Sequence, residues 1–195
     1  MKDIYLISDT HFGHWFAVKF FNRPFRNIAE MHRQLINNWN SKVDERDLVL
    51  ILGDFYGGSR LFARFLLRNL NGEKILVKGN HDFKFRLKKL IETKKIKIYN
   101  KIEFFLDEHH FILTHKPVKN IPKETFNIHG HHHRKLIPSK FQISKYYNVA
   151  VEHNNYKPVS IKSIIENKLG EHNMDLSTIA EQIKSSSMNG KYAFA

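Results

Sequence analysis

Short apolar runs, each ending in a polar and chemically capable residue, punctuate the chain. IYLIS (4–8) runs into Asp9, and LVLIL (48–52) into Gly53 and Asp54. KILVK (74–78) runs into Gly79, Asn80, His81 and Asp82. FILT (111–114) runs into His115, and FNI (126–128) into the histidine cluster HGHHH (129–133). Runs this short and rich in Ile, Leu and Val predict buried strands. Between the first three, apolar residues recur at helical spacing. NIAEMHRQLINNW (27–39) places Ile28, Met31, Leu35, Ile36 and Trp39 close to one helical face. SRLFARFLLRNL (59–70) is a second such stretch, with Asn71-Gly72 available to end it, and RLKKLIETK (86–94) is a third. This strand–helix alternation predicts an α/β sheet with helices outside. The region from about 96 to 161 reads as strands and turns. The end of the chain differs in composition. DLSTIAEQIKSS (175–186) predicts one amphipathic helix with Asp175 as N-cap, loosely attached, and divides the chain into a domain over 1–167 and a tail over 168–195.

Composition narrows the chemistry. The 195 residues suffice for one domain with a real core. A net charge of +13 favours anionic partners such as nucleic acid, nucleotides or acidic head groups. The absence of cysteine excludes disulfides and thiolate metal ligands. The apolar run in MKDIYLISDTHF is too short and interrupted for a signal-peptide core, and no stretch approaches the roughly 20 apolar residues of a membrane helix. The expectation is a soluble, cytoplasmic protein.

The residues at the strand ends are Asp9, His11, Asp54, Asn80, His81, His115, His131 and His133. In an open α/β sheet, function gathers outside the C-terminal ends of the strands, so fragments distant in sequence can meet in one crevice. Carboxylate, imidazole and carboxamide suit divalent Mn, Fe, Zn or Co, and there are enough of them here for a pair of ions. Asp9 and His11 are two positions apart, as are His131 and His133, so each pair can face one side. Gly130 is expected to allow a sharp turn, His132 to point away and His129 to flank the site.

These residues carry a resemblance. D-x-H (Asp9, His11), G-D (Gly53, Asp54), G-N-H-D (79–82), a lone histidine (His115) and G-H-x-H (Gly130, His131, His133), in that order, resemble the calcineurin-like metallophosphoesterases. The stretch SDTHFGH…RPF…NWN…V…LGDF is further similar to a small bacterial and phage-type branch of them. The resemblance implies a four-layer α/β/β/α sandwich. It also implies one metal held by Asp9, His11 and His133, another by Asn80, His115 and His131, and Asp54 bridging them. Mn²⁺ is favoured, with Fe, Zn, Ni or Co as alternatives. A hydroxide held between the ions would attack the phosphorus, since metal coordination lowers the pKa of water toward about 7. His81 would donate a proton or hydrogen bond toward the leaving oxygen, with Asp82 orienting it. Asn80, His81, Lys116 and Arg134 would contact the phosphate. The implied activity is hydrolysis of a phosphodiester or phosphomonoester, with a nucleotide-like small substrate favoured. A nuclease acting on DNA or RNA and a metal-bound, non-catalytic scaffold are the alternatives. No membrane partner is implied.

Other features carry less. FGHWFAVKFFNRPFRN (12–27) reads as a loop packing Trp15, Phe16, Phe20, Phe21 and Phe25 under a sheet edge; the other reading is a stacking platform for bases. His14 is a rim or a surface residue. His109 and His110, in DEHHF, read as a hairpin turn. His32, His153 and His172 belong to no constellation.

Overall fold

The structure is a computed structural model and describes residues 3–93, 95–135, 143–170 and 174–186. The first sheet contains β1 (Ile4–Ile7), β2 (Leu48–Leu52), β3 (Glu73–Val77), β4 (Ile96–Tyr99) and β9 (Val159–Ser160), in the order β4-β3-β2-β1-β9. Its first four strands are parallel and β9 is antiparallel to β1. The second sheet contains β5 (Ile102–Leu106), β6 (His109–Thr114), β7 (Thr125–His129) and β8 (Tyr146–Asn148), in that order. β5 and β6 form an antiparallel hairpin, while β6, β7 and β8 run parallel. The hairpin turns at Asp107 and Glu108, so His109 and His110 open β6 instead of making the turn.

LVLIL reads as a continuous apolar run because both faces of β2 are covered. Val49 and Ile51 face a core shared with helices, whereas Leu48, Leu50 and Leu52 face the core shared with the second sheet. Four helices supply the first core: Ala17 comes from the short α1 (Ala17–Phe20), and Met31, Leu35 and Trp39 from α2 (Ile28–Asn40). Ala63, Leu66 and Leu67 come from α3 (Arg60–Asn69), and Leu87 and Leu90 from α4 (Lys84–Ile91). Asn27 caps α2 by accepting from Glu30 N at 2.9 Å, and Ser59 caps α3 by accepting from Phe62 N at 3.2 Å. The second core adds Ile161, Ile164 and Ile165 of α5 (Ile161–Leu169) to the inner faces of both sheets.

The C-terminal helix departs from its expected loose attachment. α6 (Leu176–Ser186) follows Asp175, whose side chain accepts from Ser177 N and Thr178 Oγ1 as predicted for an N-cap. Its Ile179, Ala180 and Ile183 are buried in the second core. Burying one isoleucine contributes about 1.5–3 kcal/mol, so the helix is held. Gln182 also pairs its amide with both Phe105 N (2.8 Å) and Phe105 O (3.0 Å), closing an open edge of β5. Residues 187–195 of the expected tail lie outside the described residues. No described helix is long and apolar enough to cross a membrane.

The two sheets meet where their parallel strands end. Ser8 N donates to Val149 O at 3.0 Å, Val149 N to His129 O at 2.8 Å and Gly130 N to His115 O at 2.9 Å. Within the first sheet, Asp9 N donates to Gly53 O and His11 N to Asp54 O, at 3.0 and 2.9 Å. These bonds bring the loops after β1, β2, β6 and β7 to one place.

Candidate metal centre

Two clusters of ligand atoms form at that place. Asp9, His11 and His133 make one, and Asp54, His115 and His131 the other; within each, one atom per residue lies within 4.8 Å of the rest. Asn80 joins the second cluster, with Oδ1 2.9 Å from His115 Nε2. Asp54 faces both: its Oδ2 lies 3.3 Å from His115 Nε2 and 3.8 Å from His11 Nε2.

The backbone that presents these side chains is strained. Asp9, His11, Asp54 and His131 have φ of 58°, 52°, 52° and 69°, a region non-glycine residues adopt at a cost of order 1 kcal/mol each. The left-handed residue of the histidine cluster is therefore His131. Gly130 serves close approach, since a Cβ there would overlap Ser8 Oγ and crowd Asp9 Oδ2. Gly79 plays the same part beneath Asp54, whose Oδ1 and N a Cβ would overlap.

The imidazoles are aimed from behind. His115 Nδ1 bonds Leu52 O at 2.9 Å, His133 Nδ1 bonds Glu152 Oε1 at 2.9 Å, and His11 Nδ1 meets His14 Nδ1 at 2.7 Å. Each anchor occupies Nδ1 and turns Nε2 inward, the usual support of a metal-ligating histidine. His133 Nε2 accordingly lies 3.5 Å from Asp9 Oδ1. His14, uncertain in sequence, is buried and supports His11. His129 is also buried, bonding Gly130 O at 2.8 Å.

Two residues in this support escaped the sequence reading. The buried Arg23 guanidinium donates to Asp9 O (2.6 Å) and Thr10 O (3.0 Å), pinning the strained turn. It also holds Glu152 Oε1 through Nε (2.9 Å) and Nη2 (2.7 Å), and Glu152 in turn holds His133. Burial raises the Glu152 carboxyl, but the His133 bond and the Arg23 charge outweigh it and keep the group below its ordinary value. For Arg23 the sequence signal was an arginine before proline, the first of two arginines in a largely aromatic segment.

The other expected site residues are placed as follows. His81 N donates to Asp54 Oδ1 at 2.7 Å, and its half-buried ring lies 5.5 Å from the His11 ring. The Asp82 carboxylate, expected to orient His81, is bonded to the backbone: it accepts from Asp54 N (2.8 Å), Gly79 N (2.8 Å) and Phe55 N (3.1 Å). It knits the β2 and β3 loops together, although burial and the Asp54 charge push its carboxyl up to about 6. Lys116 is exposed beside His115. Arg134 and Lys135 line a groove of about 500 Å³ with Phe20, Phe21 and His131 to His133. His132 belongs to neither ligand cluster.

The donors fit divalent cations. Asp9 Oδ1 and His11 Nε2 are buried without a hydrogen bond, which is costly unless a cation engages them. Burial, with Arg23 and His14 adding to it, keeps the His11 imidazole neutral, and burial lowers His131 to about 4. Neutral imidazole is the ligating form. At His115 burial is outweighed by Asp54 and Asp9, which push it up to about 9. The buried carboxylates thus draw positive charge to this spot.

The match to known proteins covers both sequence and fold. The family model for calcineurin-like phosphoesterases matches residues 2–174. An uncharacterized protein of Methanocaldococcus jannaschii is 40% identical over 173 residues, covering 85% of this chain and 91% of its own. The gene 66 protein of Mycobacterium phage L5 is 33% identical over 85 residues, 42% of this chain and 41% of its own. A solved structure of a protein of unknown function from Aquifex aeolicus superposes with a TM-score of 0.67 at 26% identity, covering 84% of this chain and 98% of its own. With the family model spanning nearly the whole chain, and the paired ligand clusters lying inside the matched region, this chain belongs to the calcineurin-like phosphoesterase family.

Proposed function

We propose that the chain hydrolyses phosphoesters with a pair of divalent ions, Asp9, His11 and His133 holding one, and Asn80, His115 and His131 the other. Asp54, which faces both clusters, would be shared between the two ions. The observation that carries this reading is the set of three imidazoles anchored through Nδ1, with Nε2 turned toward buried carboxylates. Bound divalent ions would supply Lewis acidity toward the phosphoryl oxygens and an activated water. Mn²⁺ is favoured, because mixed carboxylate, carboxamide and imidazole donors suit it; Fe, Zn, Ni and Co remain alternatives.

His81 is the proton or hydrogen-bond donor to the leaving oxygen, and its backbone bond to Asp54 keeps it beside the clusters. Asp82 positions that loop through three amides. Asn80, Lys116 and Arg134 contact the phosphate, the cations adding attraction for a polyanion. The presence of His81 with every ligand type favours an enzyme over a non-catalytic scaffold. A cysteine-free chain suits the cytoplasm, which we take as its setting.

The test is a metal-replete screen of bis-p-nitrophenyl phosphate, p-nitrophenyl phosphate, cyclic nucleotides and labelled nucleic acids, run side by side. Turnover of at least one class, abolished by chelation and restored by Mn²⁺, is expected. No turnover of any class across the five metals would overturn the reading.

A further inference from the structure

Ring contacts run without a break past His11 of the first ligand cluster, from one exposed edge to another. Phe85 stacks on Phe83 with 6.0 Å between ring centres, and Phe83 meets His81 at 6.3 Å. His81 meets His14 at 6.0 Å, and His14 stacks on Phe16 at 5.6 Å. Phe16 then meets Trp15 at 5.9 Å and Phe20 at 6.1 Å. The ends of this arc stand in solvent: Trp15 is 82% exposed, Phe20 75%, Phe85 59% and Phe83 46%. Trp15 and Phe20 are therefore not packed under the sheet edge as the sequence suggested. Large apolar groups exposed together mark a binding surface.

Exposed cations flank the arc. Lys19 is next to Phe20 in the chain and Lys84 lies between Phe83 and Phe85, whereas Arg23 is buried against Glu152 and Arg26 pairs with Glu30. Lys89 Nζ lies 5.6 Å over the Phe85 ring. Cations interleaved with exposed rings are the combination that tracks a phosphate backbone while stacking its bases.

We propose that this rim binds single-stranded nucleic acid. Bases stack on Trp15 and Phe20 on one side and on Phe83 and Phe85 on the other, so that the phosphodiester between them lies at His81 and the ligand clusters. The proposal rests on the phosphoesterase reading and narrows its substrate to a flexible strand. A duplex hides its base faces in its own stack and cannot use the rings. An anionic membrane could use rings and cations alike, but placement of the rings around phosphoester chemistry favours the strand.

The test uses the full chain loaded with Mn²⁺. An oligothymidylate and an abasic strand of equal length compete against bis-p-nitrophenyl phosphate hydrolysis. The chain has two tryptophans, and Trp39 is buried, so an emission change on rapid mixing reports Trp15. Oligothymidylate should compete at least about tenfold better than the abasic strand and quench Trp15. Trp15→Ala combined with Phe20→Ala should erase most of that difference while the chain keeps its bound Mn²⁺. Equal competition by the two strands overturns the proposal. So does a Trp15 shift with vesicles of equal parts phosphatidylserine and phosphatidylcholine but none with the strand. If bis-p-nitrophenyl phosphate is not hydrolysed, the hydrolase reading fails on its own, and Trp15 quenching still decides whether the rim takes the strand.

Discussion

Replacing Glu152 with glutamine separates metal positioning from stability. The carboxylate oxygen Oε1 accepts from Arg23 Nε, Arg23 Nη2 and His133 Nδ1, at 2.9, 2.7 and 2.9 Å, and the Arg23 and Glu152 side chains are 0% and 1% exposed. The amide keeps an acceptor but removes the charge, leaving the Arg23 guanidinium buried and uncompensated. Removing one partner of a buried pair costs about 3–5 kcal/mol; a retained hydrogen bond recovers part, so a loss of about 2–4 kcal/mol is expected. His133 also loses its charged anchor, which should weaken metal binding at the Asp9–His11–His133 cluster about 10–100-fold. Denaturant unfolding of the metal-free chain reads the first quantity, and calorimetric titration with Mn²⁺ reads the second. A paired Arg23→Met, Glu152→Met variant removes both charges and should regain only part of that stability, because the Asp9 and Thr10 carbonyls lose their donor, while binding that metal at least as weakly as Glu152→Gln. Unchanged metal affinity in both variants would refute the positioning role, and equal weakening at both clusters would show a general collapse of the site.

Other expectations follow from single contacts. Gly79→Ala would drive a methyl into Asp54 and should lower turnover at least about 10²-fold, the order of loss for a misplaced catalytic group; turnover of bis-p-nitrophenyl phosphate near wild type would show that the loop yields. His132→Ala should be close to silent, because the bonds from Asn148 and His153 go to its backbone carbonyl, whereas His131→Ala and His133→Ala should lose metal. Metal content and turnover of the three preparations decide it, and an inactive but folded His132→Ala chain would contradict it. Burial lowers His32 from 6.5 to about 4 while its Nε2 accepts from Gly13 N. A group depressed on folding contributes stability above its unfolded value and loses it as pH falls through the folded one. Metal-free unfolding should therefore weaken between pH 6.5 and 4 by about 1–2 kcal/mol more in the wild type than in His32→Gln, allowing for partial exposure. Parallel pH profiles for the two chains would exclude this.

The strands and outer helices were legible because their periodicity reports local burial: β2 is apolar throughout because each face meets a core. The candidate ligand residues were legible because strand ends concentrate polar side chains, and the structure brings Asp9, His11, Asp54, Asn80, His115, His131 and His133 to one place. What the sequence hid depends on contacts between distant segments. Arg23 and Glu152 lie 129 positions apart and pair only once the loops after β1 and β8 meet. Ile179 and Ile183 look alike on a loose or a docked helix; docking follows from the open edge of β5 and the second core. Aromatic composition over 12–27 could not say which rings the fold covers, and Trp15 and Phe20 stay outside it. The aspartate of GNHD reads as a partner for its neighbouring histidine, yet its carboxylate sits on amides of two loops.

Metal stoichiometry tests the central claim most directly. The full chain is loaded with Mn²⁺, freed of unbound ion and assayed for metal content and bis-p-nitrophenyl phosphate turnover on the same sample, beside Asp54→Ala. The two clusters call for a pair of ions per wild-type chain, and removal of the shared carboxylate should lose both together with turnover. Full turnover with one ion or fewer per chain, or an Asp54→Ala chain that keeps both ions, would contradict the dinuclear centre.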